Sequence, residues 1–254
     1  MHIPDGFRLS VHDRAEHVAT LLIDRPAKRN ALSADMWRSL PGILEPLAAD
    51  PQVRVLVLAG AGGTFCSGAD ISEVAGLSEG DDATGLTVAA ERALARFPKP
   101  VIAMVEGFCV GGGCQLALAC DLRLAAAGAR FGVTPAKLGI VYPLSSTRRL
   151  VEHVGPSAAK LLLYSADLID AGHALRIGLV DELLPAEELA ERVYGLARTM
   201  AGRSQLTLAA SKEIVEGRAG DDRFREWQKA SRDELAEGVA AFLERRPPRF
   251  TWGR

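Results

Sequence analysis

Glu106-Gly107-Phe108-Cys109-Val110-Gly111-Gly112-Gly113-Cys114-Gln115-Leu116 follows Pro100-Val101-Ile102-Ala103-Met104-Val105, which reads as a buried strand, and opens an apolar, helix-like run to Cys120. Glycine lets a backbone approach a ligand closely. Amides at a helix N-terminus point outward unsatisfied and favour negative charge. Taken alone, the three glycines are equally a tight turn packed on a helix. Upstream, Thr64-Phe65-Cys66-Ser67-Gly68-Ala69-Asp70-Ile71 has the same setting after the apolar run 53–58. In α/β folds ligands gather beyond the carboxyl ends of strands. Two amides converging from these loops would form an oxyanion hole.

Outward from these loops, 7–11 and 18–23 predict a hairpin turning near Asp13-Arg14, and Ser33 predicts the cap of a helix ending at Pro41-Gly42 or resuming beyond it. A helix is expected over 86–97 and a strand over 122–125. Alternating strands and helices predict α/β layering through the first half. From Pro156 onward helices dominate, over 157–164, 170–177, 186–201, 204–216 and 221–245, with 179–181 extended. The polar stretch 78–85 reads as a surface loop or a mobile lid.

The chain's 254 residues, 48% of them hydrophobic, suffice for a large core. A net charge of −2 gives no footprint for nucleic acid or an anionic membrane. No apolar run approaches the roughly 20 residues that span a bilayer, and the N-terminus lacks a secretion-signal layout. Cys66, Cys109, Cys114 and Cys120 lie in apolar or glycine-rich contexts without a Cys-x-x-Cys pair, so reduced, buried thiols of a cytoplasmic protein are expected. None of the five histidines is paired at i, i+4, and no metal site is expected. A dinucleotide fingerprint in Gly60-Ala61-Gly62-Gly63 would need a glycine where Phe65 stands, and no phosphate-loop Gly-Lys-Ser/Thr occurs.

Arg25-Pro26-Ala27-Lys28-Arg29-Asn30-Ala31-Leu32, Phe65-Cys66-Ser67-Gly68-Ala69-Asp70-Ile71 and Gly111-Gly112-Gly113-Cys114 through Asp121 resemble the enoyl-CoA hydratase/isomerase (crotonase) superfamily, and Phe131-Gly132, Leu138-Gly139 and 171–180 extend the likeness along nearly the whole chain. The resemblance implies a crotonase-like spiral of β-β-α turns over 1–195, a C-terminal helical region over 196–254 that assembles a homotrimer or dimer of trimers, and an acyl-CoA thioester substrate with no separate cofactor. It places the oxyanion donors at the backbone N–H groups of Ser67 and Gly112. It puts Lys28, Arg29, Ala31, Ala69, Asp70, Ile71, Gly111 and Pro135 along the CoA thioester. The Asp70 side chain equally suits a brace for its own loop.

Hydratases of this superfamily carry two glutamates that activate and deliver water. This chain has Gln115 and Pro135 at those positions, and neither side chain exchanges a proton near neutral pH. Decarboxylation of a malonyl-type thioester needs no base, because departing CO2 leaves the enolate behind. Phe97-Pro98-Lys99-Pro100, Thr134-Pro135 with Tyr142, and Ala241-Phe242-Leu243-Glu244 resemble methylmalonyl-CoA decarboxylase-like members, although their histidine position is Ala69 here. Decarboxylation is therefore the expected chemistry. Isomerisation or hydration without the glutamates, and non-catalytic acyl-CoA binding, are its alternatives. Tyr142 is read as a catalytic donor or a half-buried packing residue, Gln115 as a substrate contact or a backbone partner, and Arg148-Arg149 as a solvated face or an anion contact.

Overall fold

The computed structural model describes residues 3–12, 17–74 and 83–252. Among the described residues nine strands run as β1 (Phe7–His12), β2 (Val18–Ile23), β3 (Val55–Gly60), β4 (Val101–Val105), β5 (Phe108–Val110), β6 (Leu122–Ala126), β7 (Arg130–Gly132), β8 (Ile169–Asp170) and β9 (Glu182–Leu184). Six form a sheet in the order β1-β2-β3-β4-β6-β9, and β5-β7-β8 form a second, three-stranded sheet. The expected hairpin is present, with Phe7 opposite Ile23 and His12 opposite Val18; its turn lies outside the described residues. From β2 to β9 the larger sheet is parallel. Parallel strands covered on both faces read as continuous apolar runs, and Val55 through Ala59 are all fully buried.

The helices are α1 (Ala34–Ala49), α2 (Ile71–Val74), α3 (Ala83–Ala95), α4 (Gly112–Ala119), α5 (Leu144–Ser165), α6 (Ala171–Arg176), α7 (Ala186–Ala201), α8 (Gln205–Val215), α9 (Asp221–Ala230) and α10 (Arg232–Leu243). The Ser33 hydroxyl caps α1, accepting from the Met36 amide at 3.2 Å. The helix runs through Pro41 and Pro46 without ending. One core joins α1, α3, α4 and α5 to one face of the large sheet. Helix α7 covers the other face, with Leu189, Val193 and Ala197 on Val55, Val57 and Ile102. Leu206, Ala209, Ala210 and Trp227 make a separate small cluster in α8 and α9.

Three sequence expectations are corrected. The extended segment is 182–184 rather than 179–181, because the buried Leu179 bonds back to the Ala174 carbonyl and closes the end of α6. Helix α5 begins thirteen residues before 157, its first half being polar, and bends at Gly155 (φ 75°) beside Pro156. The long terminal helix is two, α9 and α10, meeting at Ser231.

Candidate active site

The two glycine loops meet at the N-terminus of α4. Gly111 adopts φ 53°, ψ −114°, a conformation closed to residues with a β-carbon, and its amide donates to the Gly132 carbonyl at 2.8 Å. A methyl carbon on Gly113 would lie 2.3 Å from the Cys66 carbonyl oxygen, and one on Gly112 would lie 2.7 Å from the Trp37 ring. Only glycines let α4 press this closely on the first loop. The opening amides of α4 have no acceptor within the helix.

The first loop is held by a parallel bridge between Leu32 and Ala69. The Leu32 amide donates to Gly68 and the Asp70 amide to Leu32, each at 2.8 Å. Such a bridge engages the residues flanking Ala69 and leaves Ala69's own N–H on the opposite side. That side is the cavity, where a methyl carbon on Gly112 would lie 3.5 Å from the Ala69 nitrogen. Among the described residues neither the Ala69 nor the Gly112 amide has an acceptor. The Ser67 amide does have one, the Arg29 carbonyl at 3.1 Å, and the Ser67 hydroxyl lies 3.4 Å from the Lys28 carbonyl. Ser67 as an oxyanion donor is therefore corrected: its N–H holds the loop, and the free amide is two residues on.

The cavity encloses about 320 Å³. Trp37, Ile71, Pro135, Leu138, Val141 and Tyr142 make it apolar, and Gln115, Thr87 and Thr134 add polar side chains. No Asp, Glu, Lys, Arg or His lines it among the described residues. Of the sequence-selected residues, Ser67, Ala69, Ile71, Gly111, Gly112, Gln115, Pro135 and Tyr142 line this cavity. Lys28, Arg29, Ala31 and Asp70 do not. Lys28 is exposed, and Arg29 lies over the Phe108 ring at 5.5 Å. Ala31 presents its carbonyl to Arg25 at 2.8 Å. Asp70 is buried and accepts from the Ser72 hydroxyl at 2.6 Å and from Arg25 at 3.3 Å. The Ser72 hydrogen bond, opposed by burial and aided by Lys28, holds its carboxyl below the usual aspartate range. Of its two readings, the side chain takes the loop brace.

Tyr142 is half-buried and points its hydroxyl at the Gly111 carbonyl, 3.4 Å away. Burial first, then Cys114 and Glu91, push its pKa well above the ordinary phenol value, so it is a hydrogen-bond donor at neutral pH. The four cysteines are free and buried, and burial raises Cys66 and Cys120 to about 12. Such thiols are unreactive.

Glu91 is absent from the sequence-based selection. It is 1% exposed, and its Oε2 accepts from Gln115 Nε2 at 2.9 Å, from Ser146 Oγ at 2.5 Å and from Ser145 Oγ at 3.3 Å. Its Oε1 accepts from Arg149 Nε at 3.1 Å. Arg149 thus pairs through Nε with a buried carboxylate of its own chain, a contact that neither sequence reading included. The available signal was the apolar stripe Ala90, Leu94 and Ala95, on whose edge position 91 falls in a 3.6-residue period.

Two backbone amides without a protein acceptor among the described residues thus border an apolar slot. The chain belongs to the enoyl-CoA hydratase/isomerase family, which it matches over residues 13–253. It is 38% identical to the crotonyl-CoA hydratase of Syntrophomonas wolfei over 250 residues, 94% of this chain and 96% of that one. It is 36% identical to the 2,3-dehydroadipyl-CoA hydratase of Escherichia coli over 248 residues, 93% and 96% of the two chains. An enoyl-CoA hydratase/isomerase family structure from Hyphomonas neptunium superposes with a TM-score of 0.88 at 39% identity, covering 97% of this chain and 98% of that one. An enoyl-CoA hydratase/carnitine racemase structure from Magnetospirillum magneticum gives 0.91 at 30% identity, covering 98% and 96%. The crotonase-like α/β fold is therefore present. The expected nearness to methylmalonyl-CoA decarboxylase finds no support in these hydratase-named relatives. No helix among the described residues is long and apolar enough to cross a membrane.

Proposed function

We propose that this chain is an acyl-CoA enzyme that holds the thioester carbonyl oxygen between the N–H groups of Ala69 and Gly112 and seats the acyl chain in the apolar cavity. The carrying observation is the pair of free, adjacent amides at one end of that cavity. Negative charge grows on the carbonyl oxygen as the enolate forms, and each fixed donor aimed at it lowers the barrier by about 3–4 kcal/mol.

The reaction proposed at that enolate is addition of water to a 2-enoyl thioester, or its reversal, a reading favoured by the hydratase names of the relatives. Malonyl decarboxylation loses support for a second reason: no cationic side chain lines the described cavity to receive the substrate carboxylate. Gln115 offers the water an acceptor and Tyr142 a donor. With no carboxylate in general acid–base work, each missing group slows turnover by about 10²–10⁴-fold. Hydration is expected to be slow but saturable.

The test is mass spectrometry of the purified protein with crotonyl-CoA, malonyl-CoA and methylmalonyl-CoA. Gain of one water on crotonyl-CoA supports the reading. Loss of CO2 from a malonyl ester restores the decarboxylase, and tight binding with no product indicates a non-catalytic acyl-CoA carrier. The exposed Leu235, Val239, Phe242 and Leu243 on α10 support a homo-oligomer.

A further inference from the structure

Glu91 lies outside the cavity, yet it determines what the cavity offers. Three helices meet at its carboxylate: α3 supplies Glu91, α4 supplies Gln115, and α5 supplies Ser145, Ser146 and Arg149. A buried carboxylate is costly unless paired and hydrogen-bonded. Here the Arg149 guanidinium balances its charge and both oxygens accept hydrogen bonds. A carboxylate oxygen accepts and an amide N–H2 donates, so Gln115 must turn its nitrogen to Glu91. Its Oε1 is then the atom left for the cavity.

We infer that Glu91 is a positioning residue that locks Gln115 as a hydrogen-bond acceptor in the acyl cavity, so that the site selects acyl-CoA esters bearing a hydroxyl near the β-carbon over esters bearing only an acceptor there. The inference rests on the acyl-CoA reading above. Gln115 follows Gly112 by three residues, about 4.5 Å along α4. An acyl group whose carbonyl meets the Gly112 amide therefore extends its α- and β-carbons toward the Gln115 side chain. A β-hydroxyl can donate to Oε1, and so can a water adding at that carbon. A β-ketone cannot, and its oxygen opposes another acceptor. A β-carboxylate is disfavoured in the same way, its oxygens being acceptors set against the Gln115 Oε1 acceptor.

The test compares dissociation constants of 3-hydroxybutyryl-CoA and 3-oxobutyryl-CoA at slightly acidic pH, with the 3-oxo ester in its keto form. The wild-type protein is expected to prefer the hydroxy ester by about tenfold, the worth of one good hydrogen bond. In Glu91→Gln the partner at position 91 no longer dictates the amide's orientation, and the preference should fall toward unity through tighter 3-oxo binding. Gln115→Met removes the acceptor and should equalise the two esters without abolishing either. A Glu91 that only ties helices together would weaken both esters alike, and an unchanged ratio in folded Glu91→Gln overturns the inference. Failure of the wild type to bind either ester overturns the acyl-CoA reading and this inference with it, whereas equal wild-type binding of both overturns the inference alone. Circular dichroism and melting of each variant identify loss of fold, and Glu91→Asp, which keeps an acceptor at 91, should keep a preference for the hydroxy ester.

Discussion

The two sides of Gln115 contrast sharply. On the cavity side no charged side chain is present among the described residues, and the strongest polar features are two backbone amides. On the other side, 2.9 Å from Gln115 Nε2, a buried carboxylate is caged by two serines and an arginine. On the proposed reading the fold separates two tasks. Charge that develops during the proposed reaction would meet fixed dipoles that need no reorganisation, while the permanent charge is neutralised one layer back, where it would orient rather than react. The cavity amides are held by remote backbone pairings, Ala69 through Leu32 and Gly112 through its neighbour Gly111, whose own N–H bonds the Gly132 carbonyl.

Four substitutions would break or sharpen this contrast. Gly112→Pro removes a cavity amide and should lower kcat on an enoyl-CoA by about 10²–10³-fold, read by steady-state kinetics beside a circular-dichroism control. Glu91→Ala acts behind the cavity and leaves Arg149 and Gln115 without their acceptor. It should cost about 2–4 kcal/mol in urea unfolding, far more than exposed ion pairs such as Arg225–Asp222 are worth. Asp70→Asn tests the loop brace. A carboxyl held below its unfolded value adds stability where it is ionised and loses it as pH falls through the lowered folded value. The variant should therefore be less stable than wild type at neutral pH and converge with it well below about pH 3.9. Ser67→Ala should change kcat/KM by less than about threefold, because its amide and hydroxyl face the Arg29 and Lys28 carbonyls. A large loss there would give the Ser67 hydroxyl, the only group removed, a part in the reaction.

The fold was largely legible because its cues are local. Apolar runs marked β3 and β4, the hairpin joined two such runs, and glycine clusters marked both loops. Half of the cavity lining was among the residues selected with the help of the family likeness. What escaped depends on long-range pairing. Ser67 and Ala69 are equivalent by spacing, and only the bridge to Leu32 decides which amide faces inward. Glu91 stands beside the exposed Arg92 and looks solvated until the polar start of α5 folds over it. That same polar start hid the first thirteen residues of α5, since its serines and arginine turn toward a buried charge rather than water.

The claim that Ala69 and Gly112 form a working oxyanion hole is tested most directly by infrared difference spectroscopy of bound crotonyl-CoA carrying a ¹³C-labelled thioester carbonyl. Two donors on the oxygen weaken the C=O bond, so the labelled band should move to lower frequency on binding and return toward its aqueous position in Gly112→Pro. A bound ester whose carbonyl band stays at its aqueous frequency in the wild type would contradict the account.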